Sequence, residues 1–140
     1  MARTAHDSGI GIPSTGDLDL TVPALAPYLA VVRTATAGLA ARLQLNSDEI
    51  EDLRIAVDEA CVMVLALPRP KPAKNPTSLT CRFRVLPDAL AVTISAPVGP
   101  NAALPPEKSF VWDVLHTHAA DVKGIVDGGT ATVELRKPRR

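Results

Sequence analysis

The stretch Asn46–Leu67, NSDEIEDLRIAVDEACVMVLAL, decides how this chain folds. Asn46 followed three residues later by Glu49 has the spacing of a capping box, in which each side chain bonds the other residue's backbone N–H at a helix start. From there Ile50, Leu53, Val57, Ala60, Cys61 and Val64 recur at three- and four-residue steps, so they form one buried stripe running to about Leu67. At about 100° per residue, Ile55, Val62, Met63 and Ala66 lie far from that stripe and bracket Glu59. The second half of the helix is therefore apolar nearly all round and calls for cover on both sides.

Working outward, Tyr28, Leu29, Val32, Thr36, Leu39 and Leu43 mark an earlier helix from Pro27 that should stop near Gln44, with Arg33 beside its stripe. Ahead of it Leu18, Leu20 and Val22 alternate with polar residues as a half-buried strand ending at Pro23. Beyond the central helix, Pro68 to Pro76 holds four prolines with Arg69, Lys71 and Lys74 and reads as a solvated loop. Leu79–Val85 and Leu90–Ser95 form a hairpin about Pro87-Asp88. Residues 97–108 are irregular, Ser109 can cap a third helix with Val111, Val114, Leu115, His118 and Val122 inward, and Lys123–Asp127 and Thr130–Arg136 flank Gly128-Gly129 as a last hairpin. Five strands with one apolar face and three striped helices predict an α/β (α+β) two-layer sandwich: a mixed, largely antiparallel sheet with the helices on one face. The expected organisation is a leader over residues 1–16, one domain over 17–136 and a basic tail over 137–140.

The chain has 140 residues, suited to one core, and 46% of them are apolar with only four aromatics, so Ala, Val, Leu and Ile must do the packing. Fifteen basic and fifteen acidic residues give a formal charge of zero, which removes the general attraction to nucleic acid or anionic membranes. With no membrane-length apolar run and no secretory layout, the expected location is the cytoplasm. Cys61 and Cys81 fall in a helix and a strand and read as buried thiols. His116 and His118 point too far apart on a helix to share one ion, so no metal site is expected.

Glu59 is the one acidic residue set in apolar company on the central helix. It could be a general base, or a carboxylate facing a polar pocket or paired with an arginine.

The run Asp52-Leu53-Arg54-Ile55-Ala56-Val57-Asp58-Glu59-Ala60-Cys61 and the element order resemble the RsbW and SpoIIAB group of serine-kinase anti-sigma factors, which share the ATPase fold of histidine kinases, gyrase and Hsp90. Ser109-Phe110-Val111-Trp112 and Ala120-Asp121-Val122 point to the actinobacterial branch. The resemblance implies that Glu59 stands where the family keeps a base acting on a serine of an anti-anti-sigma protein, and that Met63 stands where an asparagine holds magnesium. A thioether cannot replace a hard oxygen ligand there. The family's adenine-reading Asp-x-Gly-x-Gly falls on Ser95-Ala96-Pro97-Val98-Gly99, of which Gly99 alone matches, and its glycine-rich phosphate element falls on Ser109-Phe110-Val111, where Val111 adds bulk. Arg33 matches the first-helix arginine that contacts both sigma and anti-anti-sigma proteins.

Three parts of one nucleotide site thus depart from the pattern together while the core positions persist. The resemblance implies a degenerate kinase: an anti-sigma factor that holds an alternative sigma factor of the stress or developmental class, is relieved by competition with an anti-anti-sigma (STAS-domain) protein, and forms a homodimer as family members commonly do. ATP and magnesium would be cofactors only under the rival reading, an active serine kinase. Phe110 and Trp112 could fill the nucleotide cavity or meet a partner; the sequence leaves both open.

Overall fold

A computed structural model describes residues 16–71 and 77–139. Its elements are β1 (Gly16–Pro23), a short 3-10 turn (Ala26–Tyr28), α1 (Leu29–Arg42), α2 (Ser47–Leu65), β2 (Ser78–Val85), β3 (Ala89–Pro97), α3 (Phe110–His118), β4 (Ala120–Asp127) and β5 (Thr130–Pro138). The strands form one sheet in the order β1-β2-β3-β5-β4. Every pairing is antiparallel, so the sheet is not mixed. Turns join β2 to β3 and β4 to β5, while β3 and β4 run parallel on either side of β5 and are linked by a crossover through α3.

Alternation along the strands fixes the two faces. Leu79, Cys81, Phe83, Leu90, Val92, Ile94, Val133 and Leu135 are fully buried toward the helices, where Leu53, Val57 and Val64 of α2 meet them. Leu115 of α3 and Val32 of α1 close the flanks of the same core. The other face is polar and carries cross-strand ion pairs: Arg82 grips Asp19 through two bonds of 2.9 and 3.1 Å, and Arg84 lies 3.6 Å from Asp17. Such exposed pairs are screened by solvent and contribute little, so the apolar face determines the fold.

Several boundaries differ from the pattern reading. Pro27 and Tyr28 belong to the 3-10 turn, and Tyr28 is exposed rather than inward. Leu18 is likewise exposed, at the start of an edge strand. α3 stops at His118 because Ala119 is extended and Asp121 adopts a φ of 51°, so Val122 lies in β4, which begins at Ala120. Gly16 belongs to β1, and the tail reading also shifts: β5 runs to Pro138, and Arg139 bonds the carbonyls of Asp88 and Leu86. The expected leader up to Thr15, Lys74 of the proline-rich loop and Arg140 lie outside the described residues.

α1 ends where its pattern stops. The Leu45 N–H bonds Ala40 O at 3.2 Å and the Gln44 N–H bonds Ala41 O at 3.0 Å, a Schellman closure that puts Gln44 at a φ of 64°, where glycine is usual.

Candidate functional site

α2 is the element on which every candidate depends. Its start carries the expected capping box, with the Glu49 N–H donating to Asn46 Oδ1 at 2.8 Å and the Asn46 N–H to Glu49 Oε1 at 2.9 Å. Its end is held by a residue that local pattern misplaces. Arg69 is half-buried, not solvated, and its Nη2 donates to the carbonyls of Val64 and Leu67 at 2.6 and 2.8 Å. A guanidinium there adds donors to the carbonyls at the helix end and suits the negative end of its dipole. An arginine a few residues past an apolar helix was the available signal.

The outward stripe of α2 is Ile55, Glu59, Val62 and Ala66. Glu59 is half-buried rather than buried, and its carboxylate has no hydrogen-bond or ionic partner among the described residues. Val62 and Ala66 are exposed, so the second half of the helix lacks the all-round cover its composition calls for. Met63, one turn after Glu59 and so on nearly the same side of the helix, is buried in the core. Arg33 of α1 reaches across to α2, where its Nε donates to Asp58 Oδ1 at 2.7 Å. The arginine and Glu59's neighbour thus form one part-exposed pair joining the two helices.

The end of β3 places the glycine-box candidates apart. Ser95 pairs in register with Thr80 and Thr132 and faces the polar side of the sheet, away from Glu59. Ala96 is the residue on the helix side. A one-residue step reverses the face, so matching motif letters cannot substitute for strand register. Pro97 is exposed at the strand end. Gly99 is buried, and its N–H donates to Pro68 O at 2.8 Å, tying the segment after β3 to the segment after α2. A Cβ on Gly99 would stand 3.1 Å from Arg69 O, so close approach is the reason for this glycine.

Ser109 occupies the N-cap position of α3, yet its side chain makes no capping bond. Val111 is half-buried and Phe110 is 78% exposed. Trp112 is half-buried: it lies against Gly124 of β4 and its Nε1–H donates to Pro105 O at 2.9 Å. The donor set does not fit a magnesium-bound nucleotide. Met63 supplies sulfur where an oxygen is needed and is turned into the core, Ser95 is on the wrong face, and the Gly99 amide is already bonded.

The sequence also gave no sign of the contact between His118 Nδ1 and Asp52 Oδ1 at 2.9 Å, or of Lys137 Nζ at 3.3 Å from Asp52 Oδ2. These join α3 and β5 to the start of the α2 motif, and the His118 hydrogen bond, helped by Lys137, holds the Asp52 carboxyl below the usual carboxylate range. Cys61 and Cys81 are free, buried and adjacent; the hydrogen bond from Cys81 and burial push the Cys61 thiol up. Among the described residues no three His, Cys, Asp or Glu side chains converge as a metal site, and no helix is long and apolar enough to cross a membrane.

No family model matches the chain. It is 35% identical over 78 residues to the serine-protein kinases RsbW of Bacillus velezensis and Bacillus subtilis, an overlap covering 56% of this chain and 48% of each relative. With RsbW of Bacillus thuringiensis it shares 40% identity over 48 residues, 34% of this chain and 30% of the relative. The chain thus spans about half the length of the curated relatives it matches. In fold, 90% of the chain superposes with a TM-score of 0.64 on 33% of a solved chain holding the RsbU and RsbW domains of a Mycobacterium tuberculosis protein, at 12% identity. The chain is accordingly similar in sequence to the RsbW serine-protein kinases over about half its length, and it has the fold that its central helix motif led us to expect.

Proposed function

We propose that this chain is an anti-sigma factor without kinase activity. It holds an alternative sigma factor of the stress or developmental type in the cytoplasm, and an anti-anti-sigma (STAS-domain) protein frees that factor by competing for the same surface. It needs neither ATP nor magnesium, and it acts as a homodimer. The observation that carries this reading is Met63: at the position the family gives to a magnesium-holding asparagine, the side chain is a thioether packed into the core. Phosphoryl transfer depends on metal and backbone donors held in place, and binding does not. Arg33 is the partner-contacting residue in this reading. Its planar fork is held by Asp58 at the surface between α1 and α2, in a position to meet a carboxylate of either partner.

One observation favours the rival, an ATP-dependent serine kinase acting on the anti-anti-sigma protein. The Glu59 carboxylate is unpartnered among the described residues and partly open, as a base would be. Titration calorimetry with ATP and magnesium, alongside phosphate transfer to a STAS-domain protein from the native host, separates the two. The proposal expects no heat and no transfer, together with capture of a sigma factor from host extract. Micromolar nucleotide binding with transfer establishes the rival, and failure to retain any sigma factor refutes the binding role.

A further inference from the structure

β4 pairs only with β5 and closes one end of the sheet. The turn Gly128-Gly129, with φ values of 58° and 79°, joins the pair Asp127 and Thr130. In a two-residue hairpin the closing pair is hydrogen bonded, and bonded and non-bonded pairs alternate from it. Asp127, Ile125 and Lys123 therefore direct their N–H and C=O groups to β5, whereas Val126 and Gly124 direct theirs outward. No backbone hydrogen bond from elsewhere in the described chain reaches these two. In the neighbouring segment 100–106, Pro100, Pro105 and Pro106 lack the donor, and Trp112 holds Pro105 O.

Two adjoining depressions follow this edge. One, of about 540 Å³, lies between residues 99–104 and the strand end; the other, of about 810 Å³, lies between α3 and residues 122–125, and both include Gly124 and Ile125. Trp112 and Leu104 cover the strand at Gly124 from the helix side, and Ile125 is 56% exposed on the other side. Carboxylates of Glu107, Asp127 and Glu134 line the groove against one lysine, Lys123.

An unpaired edge beside a strand-length groove is the geometry of strand addition, in which main-chain bonds give affinity and alternate side chains give selectivity. The excess of carboxylates sets the complementary charge. We propose that the outer edge of β4 docks an extended segment of a partner protein bearing lysine or arginine, which adds a sixth strand through Gly124 and Val126. This surface is distinct from Arg33 and from the outward stripe of α2, and it does not depend on the anti-sigma reading.

Trp112 is the only tryptophan in the chain and stands in the wall of the groove, so its emission reports occupancy. The probe is an end-capped heptapeptide alternating lysine and valine, titrated into the full chain beside the same peptide N-methylated at alternate residues. We expect a saturable change in Trp112 emission, slowed amide exchange at Gly124 and Val126, and affinity lower by at least about tenfold for the N-methylated peptide, which cannot form those bonds. Glu107→Lys should weaken the unmethylated peptide. Equal binding of the two peptides means ionic adherence alone and overturns the proposal, as does no binding or indifference to Glu107→Lys. Protection of Gly124 and Val126 in the chain by itself, rising with protein concentration, overturns it in favour of an edge shared by two copies.

Discussion

Gly124→Ala tests the packing of the edge strand directly. A Cβ there would lie 2.6 Å from Trp112 Cη2 and 2.8 Å from Leu104 Cδ1, distances at which something must move. The leucine methyl can rotate away. The indole cannot shift as freely, because its Nε1–H is held at 2.9 Å by Pro105 O. Overpacking a well-filled site costs about 1–3 kcal/mol, and replacing glycine inside a strand returns about 0.5–1 kcal/mol of backbone entropy. The net effect should be a loss of about 1 kcal/mol, or roughly 3–5 °C in Tm for a domain of this size. Urea unfolding followed by circular dichroism gives the loss, and Trp112 emission should shift as the indole is displaced. Trp112→Leu removes the clash, so alanine at position 124 should cost less in that background than in the native chain. A Gly124→Ala protein as stable as the native one, with no coupling to Trp112→Leu, would show that the indole does not rest on β4.

Arg33→Ala should weaken capture of the proposed sigma factor while changing stability by less than about 1 kcal/mol, since the pair with Asp58 is part-exposed; parallel binding and melting measurements check both halves. Asn46→Ala should cost about 1 kcal/mol in denaturant unfolding, because the reciprocal cap of α2 is lost. Gln44→Gly should raise stability by up to about 1 kcal/mol, since φ at that position is 64°. Asp52 is held below its usual pKa by the His118 and Lys137 bonds, so its contribution is complete above the unfolded carboxylate value and is lost as pH falls through the depressed folded value. Asp52→Asn should flatten that acid limb in a series of melts against pH; an unchanged limb would assign acid lability elsewhere.

What the sequence made legible was what local pattern can specify. The capping box, the halt of α1 near Gln44, the Gly128-Gly129 hairpin and the buried thiols all follow from a few neighbouring residues, and the element order then leaves little choice of fold. The departures share a different cause. Arg69 looks solvated among prolines because its carbonyl partners become visible only when α2 ends in space. Ser95 looks like a pocket residue until strand pairing turns it to the far face. Leu18 has the alternation of a core strand, yet its end of the edge strand remains exposed. Glu59 and Met63 stand one turn apart on α2, yet the first is half-buried and the second buried, a difference set by what packs against each and invisible to local pattern.

If the chain lacks kinase activity as proposed, the packing around Met63 also bears on what could restore it. Met63→Asn would put back an oxygen donor, but inside an apolar core, where an amide without partners costs about 1–3 kcal/mol. Ser95 would still face the other side of the sheet, and the Gly99 N–H would still be bonded to Pro68 O. On the proposed reading, a nucleotide site would require moving the segment after β3 away from the end of α2, which breaks the contact that Gly99 makes beside Arg69. A single substitution restores a ligand type without restoring its geometry. Met63→Asn should thus lower the melting temperature and bring neither ATP binding by calorimetry nor phosphate transfer; micromolar ATP affinity in this variant would show that the site had lost one side chain and kept its shape.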